Sequence, residues 1–239
     1  METAGYTAAI FIGITLGLIG GVGSILTVPV LVYLFGTDAV AATTYSLFIV
    51  GTTSLAGSIA YFRKGLVSIR TAAVFGIPSV AAVFLTRTLI VPSIPPEIFS
   101  AGNFTLTNRM LLMLLFAALM ILASYSMIRK GTVAEALPEQ PFHYPMIFIQ
   151  GIFTGAVTSL IGAGGGFLII PALVHLLKLP LKTAIGTSLV IITVNSLAGF
   201  FFSVHHFSVD WSFLIPVTSI AVTGISPATI YPQRSAERS

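Results

Sequence analysis

The sequence predicts an all-α polytopic membrane protein built from two inverted-topology repeats, with broken or re-entrant helices at glycine-rich motifs. Three observations lead there. The 239-residue chain is 56% hydrophobic and 8% charged, whereas a soluble domain carries roughly a quarter charged residues. Residues 17–57 and 159–199 match without a gap at an offset of 142, with 17 of 41 positions identical, too many for shared apolar composition alone. The charged loops of the two halves also follow in opposite order.

From the N-terminus, METAG lacks a basic n-region, so the first apolar run is expected to belong to the mature fold. That run, Tyr6 to Phe35, contains GLIGGVGSILTVP. Uncharged runs at Val40–Phe62, Met110–Ile128 and Thr183–Val204 are long enough to cross a bilayer core, which takes about 20 helical residues. A fourth run, Thr71–Val91, is interrupted only by Arg87. Arg129 to Tyr144, with RKG, two glutamates and two prolines, reads as a cytoplasmic linker between a first repeat (1–128) and a second (145–224). Pro145 to Leu177 is the second glycine-bearing run, carrying SLIGAGGGFLIIP. After the apolar stretch Phe213–Gly224, too short to span, residues 225–239 form an atypical polar tail.

Loop charges orient the halves. The loop after the first glycine segment holds Asp38, and the next holds Arg63, Lys64 and Arg70. In the second half the order reverses: Lys178 and Lys182 come first, then His205, His206 and Asp210. Positive residues mark the cytoplasmic side, so the repeats are expected to face opposite ways. Inversion needs an odd number of crossings per repeat, which follows if each glycine segment enters and returns to one side.

A broken helix at membrane depth leaves backbone groups unpaired, tolerable only against protein or a wet cavity. Half-helix N-termini attract anions. The candidate anion-binding residues are therefore Gly20, Gly21 and Gly23 with Gly162, Gly164, Gly165 and Gly166, joined by Ser46, Ser54, Thr187, Ser188 and Asn195 on the helices that follow. Each glycine also has a packing reading: Gly13-x-x-x-Gly17, Gly17-x-x-x-Gly21 and Gly151-x-x-x-Gly155 have the small-residue pattern of close helix contacts. The duplicated cluster as a whole favours a site, since packing does not require three consecutive glycines. Asn195 has an alternative too, interhelical hydrogen bonding. Arg87 and Arg109 read either as residues snorkelling to the outer interface or as an outer cation gate, and His205, His206 and Trp211 as interfacial anchors.

Other chemistries are excluded or unsupported. With no cysteine there is no disulfide, thiol nucleophile or thiolate metal site. All seven carboxylates fall in expected loops or tails, so none is an obvious buried proton or sodium relay. There is no His-Glu-x-x-His motif or pair of membrane aspartates for intramembrane proteolysis. GAGGG lacks the βαβ context of a nucleotide loop. The net charge of +4 is spread over short loops and marks topology, not a nucleic-acid surface. No catalytic residue, cofactor or metal site is assigned.

The duplicated motif, Leu160 to Gly166 with Pro171 and its weaker twin Leu18 to Ser24 with Pro29, resembles the sulfite exporter TauE/SafE family of membrane permeases. So does the GTSL at Gly186–Leu189, answered by Thr44-Tyr45-Ser46-Leu47. The resemblance covers roughly residues 6–224 and implies a multi-pass permease of the cell (plasma or inner) membrane for sulfite, sulfonates or related small organic anions. A channel-like anion facilitator and a non-transporting receptor or assembly subunit are the alternatives. The first copy departs from the motif at Val22 and Ser24, so the two sites need not be equivalent. At the offset of 142 the Met110–Ile128 helix has no counterpart before Ser239, so a truncated or frameshifted product is expected; the other reading is a short form whose missing wall comes from a second subunit. The expected partners are a small anion, the lipid bilayer and, on that second reading, a homo-oligomer, without nucleic acid.

Overall fold

The computed structural model describes residues 10, 14, 24, 26–93, 97–101, 104–107, 110–111, 113–115, 117–118, 121, 144–162, 164–204 and 209–230. Its helices are α1 (Thr27–Tyr33), α2 (Ala39–Arg63), α3 (Ile69–Leu85), α4 (Tyr144–Ile161), α5 (Gly166–Leu176), α6 (Leu181–Val204) and α7 (Trp211–Ile230). Beyond α3 the chain continues through a π-helical turn, Thr86–Ile90, into one more α turn, Val91–Ser93. The expected spans at 40–62, 71–91 and 183–204 thus appear as helices long and apolar enough to cross a membrane. The linker 129–143 and most of the 110–128 run lie outside the described residues.

Two features differ from the expectation. The chain is not wholly helical: Glu97–Ala101 (β1) pairs antiparallel with Phe104–Thr107 (β2), Glu97 opposite Thr107 and Ala101 opposite Phe104. The runs IFS and FTLT are rich in aromatic and β-branched residues and flank Gly-Asn, a hairpin signature that the surrounding helical hydropathy obscures. At the other end, α7 does not stop at Gly224 but runs on to Ile230, through residues read as polar tail.

Local chemistry sets the helix ends. The Asp38 carboxylate accepts from the Val40 amide at 3.0 Å and caps α2. Gly65, at φ +68°, closes that helix: its amide donates to Phe62 and the Leu66 amide to Tyr61, both at 3.0 Å, the Schellman pattern. Asp210 caps α7 by accepting from Ser212 and Phe213.

The 142-residue offset recurs in local structure. Gly36 and its mate Lys178 both take positive φ, +67° and +52°. Just after them Thr37 donates to Leu31 at 3.1 Å and Leu179 to Leu173 at 3.3 Å. The Ser68 amide donates to Thr187 Oγ1 and the Asp210 amide to Tyr45 Oη, each at 3.0 Å; 68 and 210, like 45 and 187, are mates.

Contacts along the helices give their directions. A Cβ added to Gly199 would meet Leu47, one on Gly51 would meet Leu197 and one on Gly57 Leu189. The mates α2 and α6 therefore cross antiparallel. Against α4, Phe75 faces Gly151, Ser79 faces Gly155 and the Val83 carbonyl faces Ser159, a constant offset of 76, so α3 and α4 run parallel. The Gly151-x-x-x-Gly155 pattern serves this contact: a Cβ on Gly151 would lie 2.8 Å from the Phe75 carbonyl. Ser79 with Asn195 and Val83 with Gly199 set α3 parallel to α6 as well.

The buried apolar groups form two clusters. One joins α1, α2, α6 and α7 through Leu31, Tyr45, Phe200 and Leu214, with Phe48 tilted against Phe200 at 4.9 Å and edge-on to Trp211 at 5.7 Å. The other joins α3, α5 and α6 through Phe75, Ile169, Leu173 and Ile192. Between them run buried hydroxyls. Many of these, such as Thr53, Thr193 and Ser203, return their proton to a carbonyl one helical turn back and so need no other partner.

Candidate functional site

The α4–α5 junction holds the second glycine cluster. The Gly162 amide donates to Thr158 at 2.9 Å and closes α4, and the Leu168 and Ile169 amides both point to the Gly165 carbonyl at 3.0 Å to open α5. Gly166 is the first residue of α5. Its amide and that of Phe167 have no acceptor within the helix. Gly162, Gly164 and Gly165 all have positive φ, between +64° and +83°.

The turn is pressed between the mates α2 and α6. Ser46 Oγ of α2 sits 2.6 Å from the Gly162 carbonyl and 2.8 Å from that of Thr43, and one hydroxyl proton serves one of them at a time. A Cβ on Gly162 would lie 2.5 Å from the Thr43 carbonyl; on Gly164, 2.5 Å from Val50 Cγ1 and 3.1 Å from Ser196 Oγ. On Gly165 it would collide with the Thr158 side chain. These glycines are therefore required sterically as well as conformationally: an L side chain is disfavoured at this φ, and the space is already filled.

Several buried side-chain atoms have no hydrogen-bond partner among the described residues, Ser54 Oγ, Asn195 Oδ1, Thr27 Oγ1, Thr154 Oγ1 and Ser196 Oγ among them, and of these Ser196 lies beside the turn at Gly164. Ser54 and Ser196 are mates at the 142 offset and both are fully buried. Asn195 is anchored at one end only, its Nδ2 donating to Ser79 Oγ at 2.6 Å. Buried polar groups in native folds are almost always paired. An unpaired hydroxyl such as that of Ser196, beside the start of α5, can receive a polar ligand.

The structure thus brings Ser46, Gly162, Gly164, Gly165 and Gly166 together, with Asn195 next to Ser196 on the same helix. Ser54 is two turns further along α2 from Ser46, about 12 Å at 1.5 Å per residue. Thr187 is not at this turn: its hydroxyl accepts from the Ser68 amide and pins the start of α3. Ser188 returns its proton to Ile185 at 2.8 Å. It is the mate of Ser46; Gly20, Gly21 and Gly23 lie outside the described residues.

Sequence reasoning left Ser196 out of the candidate residues and read Arg87 as snorkelling or as part of an outer cation gate. Ser196 had a usable signal, as the repeat mate of the chosen Ser54. Snorkelling does not describe Arg87: it is 3% exposed, and Nε and Nη2 have no partner among the described residues. The π turn that carries it packs on α4 and α6, which close over a side chain read as reaching water. Arg109, His205 and His206 are outside the described residues, while Trp211 is half exposed. A separate, mostly apolar cavity of 490 Å³, lined by Ser58, Phe62, Arg63, Ile69 and Val190 among others, includes none of the predicted site residues. Among the described residues no group of His, Cys, Asp or Glu is placed to hold a metal.

With this geometry in place, comparison with known proteins is informative. Residues 6–233 match the family described as "Sulfite exporter TauE/SafE". A "Probable membrane transporter protein" of Xylella fastidiosa (strain 9a5c) is 31% identical over 230 residues, covering 93% of this chain and 82% of the relative. The "Probable membrane transporter protein YunE" of Bacillus subtilis (strain 168) is 26% identical over 234 residues, covering 88% and 82%. No solved structure matches.

Proposed function

Because this chain belongs to the sulfite exporter TauE/SafE family and is a membrane transporter, we propose that it is a cell-membrane permease for small oxyanions: sulfite, sulfonates or related organic anions. The observation that carries this reading is the α4–α5 turn, where the start of α5 lies inside the helical bundle and the unpartnered Ser196 hydroxyl sits beside Gly164. Neutral donors at the turn add only modest binding free energy each, so the bound anion can leave again.

The mechanism is alternating access of two inverted repeats around broken helices. The antiparallel crossing of the mates α2 and α6 supports inversion, as does the matched pair of bonds from Ser68 to Thr187 and from Asp210 to Tyr45. Re-entry is supported by direction and length. α4 runs parallel to α6, and α5 ends only four residues before α6 begins, so α5 returns toward the end where α4 started. α4 has 18 residues, about 27 Å at 1.5 Å per residue, which carries the turn deep without completing a crossing. Rocking one repeat against the other would open the turn to each side in alternation. An anion leaving a cell that is negative inside gains about 2.3 kcal/mol per charge per 100 mV, so export needs no coupled cation.

The test is sulfite and sulfoacetate flux in proteoliposomes under an imposed potential, with Gly165→Leu as the blocked variant. Saturable flux with counterflow, abolished in the folded variant, is the expected result. Flux without counterflow would replace alternating access with a channel. Ligand binding with no flux would remove the permease reading and leave a receptor.

A further inference from the structure

Arg87 is the one described cation within the membrane-spanning segments that is almost completely buried, and nothing described neutralises it. Its Nε and Nη2 have no hydrogen-bond partner among the described residues. The described carboxylate side chains, Asp38 and Asp210, are engaged as helix caps on α2 and α7. A guanidinium out of water without a counter-charge is strongly disfavoured, so the position implies a partner.

Its placement suggests which. The contacts between α3 and α4 keep a constant offset of 76 through Phe75–Gly151, Ser79–Gly155 and Val83–Ser159. One further turn along the chain from Val83, which faces Ser159, sets Arg87 near the end of α4, where the glycine turn begins at Gly162. At that level α3 gives way to the π turn Thr86–Ile90, which packs on both α4 and α6. A π turn adds a residue to one helical turn and re-aims the side chains that follow; such turns are frequent at functional sites. The nearest hydroxyl levels on α6 are already spent or distant, Ser203 donating to Gly199 at 2.8 Å.

We propose that Arg87 is the cationic anchor of the anion site, its guanidinium fork meeting two oxygens of a sulfite- or sulfonate-type oxyanion whose remaining oxygens face the glycine turn. This rests on the permease reading above and deepens it. The planar fork matches an oxyanion edge two bonds at a time, whereas a lysine offers a point charge. The Ser196 hydroxyl, beside Gly164, then orients the ligand, and Arg87 supplies its charge balance and its selection against neutral solutes.

The test uses the full chain in detergent, titrated with sodium sulfite and followed by calorimetry, with thermal melting of the ligand-free protein beside it. Arg87→Gln is expected to weaken sulfite binding on the order of 10- to 100-fold, from the 1.5–3 kcal/mol typical of charged hydrogen bonds. Its ligand-free melting point should equal or exceed the parent's, because an unbalanced buried charge has gone. Arg87→Lys is expected to fall between the two, and it carries the test if Arg87→Gln does not fold. Unchanged sulfite affinity in a folded Arg87→Gln or in Arg87→Lys overturns the assignment while the permease reading stands. A lowered ligand-free melting point with unchanged affinity marks Arg87 instead as a structural partner of another segment. A parent that binds no sulfite removes the permease reading, and this inference with it.

Discussion

Replacing Gly162 by alanine, compared with the same change at Gly36, measures how tightly the glycine turn is held. Both residues have positive φ, +77° and +67°, and that conformation disfavours an L side chain by roughly 1–2 kcal/mol. At Gly36 this is the whole effect, since a Cβ there meets nothing within 4 Å; its mate Lys178 already holds a side chain at +52°. At Gly162 the Cβ would sit 2.5 Å from the Thr43 carbonyl and 2.7 Å from Ser46 Oγ. Moving the turn away to relieve this breaks the Ser46 contact, worth about 1 kcal/mol, and adds overpacking strain of about 1–3 kcal/mol. The expected penalties are about 1 kcal/mol for Gly36→Ala and about 4 kcal/mol for Gly162→Ala, from those same contributions. Reversible unfolding in mixed micelles with increasing denaturing detergent reads the difference, and liposome flux on the same samples shows whether transport falls with it. Equal penalties would refute the close seating of the turn against α2, and with it the geometry on which the anion site is built.

Two further expectations concern the helices that frame the turn. Gly155→Ala should destabilise by about 2–4 kcal/mol by forcing α4 off the Ser79 backbone, whereas Gly76→Ala, on open space in α3, should stabilise by up to about 1 kcal/mol; the same unfolding assay checks both, and like signs would contradict the parallel α3–α4 contact. In a double-mutant cycle, Ser79→Ala and Asn195→Leu should show a coupling of about 1–2 kcal/mol, because the amide bonds that hydroxyl at 2.6 Å; additive effects would mean that Asn195 has another partner.

The helices at 39–63, 69–93 and 181–204 were legible in the chain because lipid as solvent demands long apolar runs, and such runs need no knowledge of neighbours. The repeat was legible for a similar reason, since identical residues at an offset of 142 need no knowledge of packing, whereas the left-handed turn shared by the unlike mates Gly36 and Lys178 was not. The hairpin at 97–107 was hidden among helical signals, and the extension of α7 past Gly224 was hidden by a polar composition that does not itself forbid a helix.

Side-chain roles were harder to read, because a hydroxyl in an apolar helix has the same local sequence whether it bonds its own backbone, a distant residue or a ligand. Ser188 bonds its own helix, Thr187 receives the start of α3 from 119 residues away, and Ser196 has no described partner. The sequence by itself determined the solvent this chain is built for, its duplication and the backbone freedom at residues 162–166, since these depend on composition, offset and glycine content. Only the tertiary structure decided that Ser46 meets Gly162 across 116 residues and that Arg87 is enclosed and not snorkelling. The physical reason is that burial and pairing are properties of what packs opposite a residue, and α4 and α6 arrive there from the far half of the chain.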